Sequence, residues 1–235
     1  MVYVSSDWHG VPYETIQKLF DKAGFGDDDF LFVLGDIIDR GEHGVELIKK
    51  IMFAPNIKLL RGNHEEMLLS CKFLFDEVTK ETLDDFNYSK MSNFHTWQYN
   101  GGTPTIEELR KETPEMRQMI LEFIEDTPFY DSVSVGDKDF LLVHGGLPID
   151  ENGKILKLSE CMPYDLIWTR PHILTEYSHD FMTIIGHTPT GYYGREYRGK
   201  IFKTDTWIDI DTGAASGLSP CLLRLDDMKE FYIDN

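Results

Sequence analysis

Three short apolar runs open the chain: VYVSS (2–6), FLFVLG (30–35) and IKLLRG (57–62). Between them lie YETIQKLFDKAGF (13–25) and HGVELIKKIMF (43–53), whose apolar residues recur at helical spacing. Short apolar runs bounded by turn residues predict buried strands, and the longer periodic stretches predict amphipathic helices. Strand–helix alternation of this kind predicts βαβ units with parallel strands, because parallel neighbours need a long crossover. The fold class expected is therefore α/β.

Past IKLLRG a further helix is predicted to begin near Glu65. Residues 76–128 differ in character. They are polar, helical in pattern (TPTIEELRK, PEMRQMILEFIED) and punctuated by Gly101, Gly102, Pro104 and Pro114. They read as a helical cap inserted into one domain spanning residues 1–235, a length that suits a single large α/β domain. Strands resume at FYDSVSVG, DFLLVHGG, FMTIIGHTP and WIDIDTGA, followed by CLLRLDD and EFYID.

The strand ends share a chemistry. The first delivers Asp7 and His9 in SDWHG, and the second Asp36, Asp39 and Arg40 in GDIIDRG. The third delivers Arg61, Asn63 and His64 in LLRGNHEEM; later strands deliver His144 in LLVHGG and His187 in IIGHTP. Ligands of α/β sheets bind beyond the carboxyl ends of the strands. Each residue has an ordinary explanation. Asp before a helix is often an N-cap, a lone His after an apolar run is usually a bonded core residue, and a neighbouring glycine is usually a turn. Those explanations would have to hold independently at five strand ends, each carrying a metal-ligand residue type. Asp, His and Asn donors suit Mn, Fe or Zn rather than a sulfur site. The donor count suggests two divalent ions, Asp7, His9 and Asp36 around one and Asp36, Asn63, His144 and His187 around the other, with Asp36 bridging. Such pairs sit about 3.5–4 Å apart and acidify a bound water. His43, His95, His172 and His179 fall in helical or loop context and read as structural or solvated.

Composition narrows the partners. A formal charge of −18 argues against unaided binding to nucleic acid or an anionic membrane. The apolar runs are too short to span a bilayer, and the opening residues show no leader pattern, so a cytoplasmic location is expected. The three cysteines, Cys71, Cys161 and Cys221, are too scattered for a disulfide framework or a zinc ribbon and read as reduced structural thiols.

SDWHG, GDIIDRG, RGNHE, HGG and GHTP, taken together, resemble the successive motifs of the metallophosphoesterase (calcineurin-like) superfamily. GDIIDRG with RGNHE resembles its phosphoprotein phosphatase branch, and LIWTRP, IDIDTGA and the short chain resemble that branch's small bacterial and phage type. The resemblance runs from Val2 to about Leu225 and is weakest over 76–128. It departs at Ser6, where the family pattern has glycine. The resemblance implies a β-sandwich of two mixed sheets flanked by helices. It implies that Asp7, His9, Asp36, Asn63, His144 and His187 hold two ions, most often manganese. It further implies that Arg40, Arg61 and Arg170 clamp phosphate through bidentate guanidinium contacts, that His64 is the general acid and that Asp39 orients it. Ser6 has no ligand role in the pattern. Glu65 reads as a first-turn anion favoured by the helix dipole.

The function this implies is hydrolysis of a phosphomonoester by hydroxide held between the ions. The substrate would be phosphoserine or phosphothreonine on a protein, with phosphotyrosine as an extension. Symmetrical hydrolysis of diadenosine tetraphosphate is the alternative within the branch, since the aromatics of FNYSKMSNFHTWQYNGG could stack adenine or could form a small core. A non-catalytic binding protein on this fold is the reading from another class; the presence of both Asp39 and His64 speaks against it.

Overall fold

The computed structural model describes residues 1–233. It contains two five-stranded sheets. The first runs β10 (Lys229–Phe231), β9 (Leu222–Arg224), β1 (Val2–Ser5), β2 (Phe30–Val33), β3 (Ile57–Leu59). In it β1, β2 and β3 are parallel and β9 returns antiparallel to β1. The second runs β4 (Tyr130–Val135), β5 (Lys138–Val143), β6 (Met182–Ile185), β8 (Trp207–Asp209), β7 (Phe202–Lys203), with β5, β6 and β8 parallel and β4 and β7 antiparallel at the edges. This is the expected sandwich of two mixed sheets.

Strand alternation builds the layers. Val4, Phe32 and Leu34 from the first sheet meet Phe140, Leu142, Ile184 and Ile208 from the second, forming the inner core. The residues between them point outward. Tyr3, Leu31 and Val33 pack under the helices α1 (Tyr13–Ala23), α2 (Gly44–Met52) and α3 (Asn63–Ser70). Leu141, Val143, Ile185 and Trp207 cover the other outer face together with α8 (Pro163–Trp168).

Residues 76–128 carry α4 (Lys80–Asp84), α5 (Tyr88–Tyr99), α6 (Thr103–Lys111) and α7 (Pro114–Glu125). Their apolar faces, with Trp97, Ile106, Leu109, Ile120 and Ile124, join the same cluster as Tyr3, Ile37 and Leu68. The side chains of Tyr88 and Tyr99 stay exposed, whereas Trp97 is fully buried.

Two boundaries and one strand differ from expectation. Helix α3 begins at Asn63, so Asn63 and His64 stand on its first turn rather than in the loop before it. The strand β7 was invisible in the sequence, being two residues long. The final run EFYID forms a strand only as far as Phe231, and its last residue, Asp234, lies outside the described residues. The three cysteines are unpaired. No helix among the described residues is long and apolar enough to cross a membrane.

Candidate active site

The parallel strands of both sheets end at one rim. There the backbone leaves its ordinary conformations: Asp7, His9, Asp36, Asp39, Arg40 and His187 all have positive φ, between 45° and 70°. Among the described residues only one other non-glycine, Met228, does so. Such strain persists where surrounding structure over-determines it, and it clusters at functional sites. The tight turns also need glycines. A Cβ on Gly35 would lie 2.4 Å from the Gly62 nitrogen, and one on Gly186 2.3 Å from Asp7 Oδ2.

Asp7, His9, Asp36, Asn63, His144 and His187 converge and are all buried. The imidazoles are oriented by backbone carbonyls. Nδ1 of His144 faces the Leu34 oxygen at 2.7 Å, and Nδ1 of His9 faces the Ile38 oxygen at 3.1 Å. This turns both Nε2 atoms inward, the arrangement by which outer-shell hydrogen bonds aim metal-ligating histidines. Nε2 of His9 lies 3.8 Å from Asp7 Oδ1 and 3.7 Å from Asp36 Oδ2. Nε2 of His144 lies 3.0 Å from Asn63 Oδ1 and 3.3 Å from Asp36 Oδ1. Asp36 thus shows one oxygen to each group of donors. Two clusters, His9–Asp36–His64 and Asp36–His144–His187, each hold their ligand atoms within 4.8 Å and share Asp36 alone.

Two further atoms test the fit to cations. Asp7 Oδ1 and His187 Nε2 are buried without a hydrogen-bond partner, a situation that costs about 1–3 kcal/mol per group if nothing satisfies it. Both belong to the expected ligand set, and a divalent ion on each side of Asp36 would satisfy them. Charge in the metal-free arrangement agrees. Burial works against a charged His144, yet Asp36 outweighs it and raises the pKa to about 9, so the surrounding oxygens favour positive charge there. Burial, with His144 and Arg170 nearby, lowers His187 to about 2 and keeps it a neutral donor.

His64 stands beside this set. Its Nδ1 donates to Asp39 Oδ2 at 2.6 Å, and Nε2 faces Asp36 Oδ2 at 3.8 Å. Burial opposes its charged form, but Asp36 and the Asp39 hydrogen bond prevail and raise its pKa. Nη1 and Nη2 of Arg40 lie 3.2 and 3.1 Å from Nε2 of His9 and His64, placing the guanidinium over the rim. Arg170 comes from the opposite side and donates to the His187 carbonyl at 2.9 Å and to Thr188 Oγ1 at 3.1 Å.

Arg61 does not join them. Its guanidinium turns toward the end of α7, where it pairs with Glu66 Oε2 at 3.0 Å, donates to the carbonyls of Glu125 and Thr127, and lies 4.6 Å over the Phe129 ring. With its donors taken up there, it ties β3 to the start of the second sheet. In this arrangement the guanidinium faces away from the rim, where a phosphate clamp would need it.

The profile of the calcineurin-like phosphoesterase family matches residues 1–210. The chain belongs to the calcineurin-like phosphoesterase family. A serine/threonine-protein phosphatase of Caenorhabditis elegans is 28% identical over 185 residues, covering 72% of this chain but only 34% of that protein; the chain therefore spans about a third of that relative. Serine/threonine-protein phosphatase 2 of Salmonella typhimurium is 26% identical over 215 residues, covering 91% of this phosphoesterase and 87% of the relative. The fold is also that of a solved protein assigned as a diadenosine tetraphosphatase (TM-score 0.64, 14% identity, 99% of this chain and 92% of that one).

Two residues of the phosphoesterase matter more to the site than sequence reasoning allowed. Glu65 is fully buried, and its carboxylate accepts the backbone N–H groups of Asp36, Ile37 and Gly62 at 2.8, 2.9 and 3.0 Å. It locks the Asp36 loop to the RGNHE turn, a role beyond favouring the helix dipole. Ser6 Oγ donates to Asp7 Oδ2, which also accepts the His187 N–H at 2.9 Å. Ser6 thus occupies one Asp7 oxygen and leaves Oδ1 without a hydrogen-bond partner. The usual glycine could not do this.

Proposed function

We propose that this chain is a phosphomonoesterase acting on phosphoserine and phosphothreonine in proteins, with Asp7, His9, Asp36, Asn63, His144 and His187 holding two divalent ions, manganese foremost. The observation that carries this reading is the pairing of Asp39 and His64 directly beside a shared-Asp36 donor cluster. A binding protein would gain nothing from a buried, oriented imidazole there.

Ions bound in this set would supply Lewis acidity to a phosphoryl oxygen and acidify a water. The chain's own residues do the rest. Arg40 and Arg170 approach from opposite sides and can donate to the equatorial phosphoryl oxygens, where charge gathers as the P–O bond breaks. Because Nδ1 of His64 is fixed by Asp39, Nε2 is the atom turned to the rim and to the leaving oxygen. As the oxygen of a water that has already given one proton to solvent bonds to phosphorus and the ester P–O bond breaks, the Nε2 proton passes to the departing serine or threonine oxygen, and solvent returns a proton to Nε2.

The named relatives support protein phosphatase activity, and so does charge. With a net charge of −18, the surface repels a polyanion and attracts phosphopeptides with basic flanks. Symmetrical cleavage of diadenosine tetraphosphate is the second reading, favoured by the likeness to the structure assigned to that activity. Initial rates on phosphoserine, phosphothreonine and phosphotyrosine peptides and on diadenosine tetraphosphate, with and without manganese, decide between them. A kcat/KM on the dinucleotide far above those on the peptides would overturn the protein reading.

A further inference from the structure

The carboxylate that orients His64 is itself held from the helical segment. Trp97, at the last turn of α5, donates its indole Nε1–H to Asp39 Oδ2 at 2.8 Å. Thr105, in the first turn of α6, grips the same residue twice: its hydroxyl donates to Asp39 Oδ1 at 2.5 Å and accepts the Asp39 N–H at 3.0 Å. Both side chains are fully buried. With the His64 bond added, both carboxylate oxygens are occupied, and a residue at φ 70° is held by four hydrogen bonds.

The turn between the two helices completes the grip. The Arg40 N–H donates to the Gly101 carbonyl at 2.9 Å, and Arg40 Nε to the Asn100 carbonyl at 3.4 Å. Gly101 has φ 98°, and a Cβ there would lie 2.8 Å from Arg40 Cγ. A Cβ on Gly102 would lie 2.5 Å from the Trp97 indole nitrogen. The two glycines are what let this turn close on Asp39 and Arg40 together.

We propose that residues 97–105 are a positioning clasp: Trp97 and Thr105 fix Asp39, and through it the His64 imidazole, while the Asn100–Gly101 backbone aims Arg40. The segment between α3 and β4 therefore completes the proton-donating half of the site. Any movement of α5 or α6 against the sheets reaches His64 and Arg40 at once. This inference rests on His64 being the proton donor of the proposed reaction.

The test compares Thr105→Val, Trp97→Phe and Thr105→Ser in the manganese-loaded protein, alone and in a His64→Asn background, on a phosphoserine peptide and on p-nitrophenyl phosphate. Proton donation matters for the serine oxygen and little for p-nitrophenolate. Thr105→Val and Trp97→Phe should therefore lower kcat on the peptide by about ten- to a hundredfold, a fraction of what general acid catalysis supplies, and by less than about threefold on the aryl ester. KM and metal content should hold, and Thr105→Ser, which keeps the hydroxyl, should behave as wild type. In the His64→Asn background neither substitution should cause further loss. Equal losses on both substrates, or losses that multiply with that of His64→Asn, would overturn the clasp. If His64→Asn distinguishes the two substrates and the clasp variants do not, only the clasp fails; if His64→Asn does not distinguish them, the proton-donor reading falls and the clasp with it.

Discussion

His64 and Asp39 are joined by a 2.6 Å hydrogen bond, Nδ1 to Oδ2, between two side chains that are both buried. The bond leaves Nε2 as the nitrogen facing the rim, where it also falls within the His9–Asp36 donor cluster, so proton donor and metal ligand are the two roles to separate. His64→Asn should keep its metal and lose about 10²–10⁴-fold in kcat on phosphoserine peptide, with a much smaller loss on p-nitrophenyl phosphate. Elemental analysis that finds the variant depleted of metal would make His64 a ligand instead.

The two arginines of the GDIIDRG and RGNHE motifs should part company. Arg40→Ala should leave the melting temperature close to wild type and weaken inhibition by phosphate or vanadate by about ten- to a hundredfold, the effect of losing one charge-assisted contact. Arg61→Ala should do the reverse. It removes a buried network spanning Glu66, Thr127 and two carbonyls, with a stability loss of about 2–4 kcal/mol. Thermal denaturation and inhibition constants on both variants check this; a clear loss of phosphate affinity with unchanged melting in Arg61→Ala would restore it to the clamp.

Ser6 should matter to metal affinity. Ser6→Ala removes one of the hydrogen bonds that hold Asp7 Oδ2, and outer-shell losses of this kind typically weaken metal binding by about 10–100-fold. Competition with a fluorescent chelator measures it. An unchanged dissociation constant would mean that the His187 amide alone is enough to aim Asp7.

Metal uptake should depend on pH through His144. Its folded pKa, about 9, exceeds its ordinary value of 6.5. In the metal-free protein this group therefore adds stability that is complete below about 6.5 and is lost as pH rises through about 9. An ion entering beside Asn63 must displace that proton, so apparent affinity should rise by about tenfold per pH unit between 6 and 8. Titration of chelator-treated protein across that range tests the sign, and a flat profile would contradict it.

The sequence revealed most where local chemistry is enough. Alternating short apolar runs marked the strands, and SDWHG, GDIIDRG, RGNHE, HGG and GHTP placed their donors on one rim. What stayed hidden depended on direction. Arg61 lies two residues before Asn63, yet its long side chain reaches the far end of α7 instead of the rim. Glu65 read only as a first-turn anion of α3 because nothing in its spacing shows the three amides that its carboxylate accepts. Trp97 and Thr105 sit 58 and 66 positions from the carboxylate they hold, and only packing of α5 and α6 brings them there.

The six left-handed residues at the rim carry one further consequence. Each holds a backbone shape that an L-residue adopts at about 1–2 kcal/mol, and glycine would adopt it freely. Under the proposed function, catalysis and folding therefore make opposite demands on the same positions. Arg40→Gly, exposed and with φ 70°, is where they conflict most openly. A crippled enzyme that melts higher than its parent is the outcome to expect from selecting this scaffold for thermostability alone.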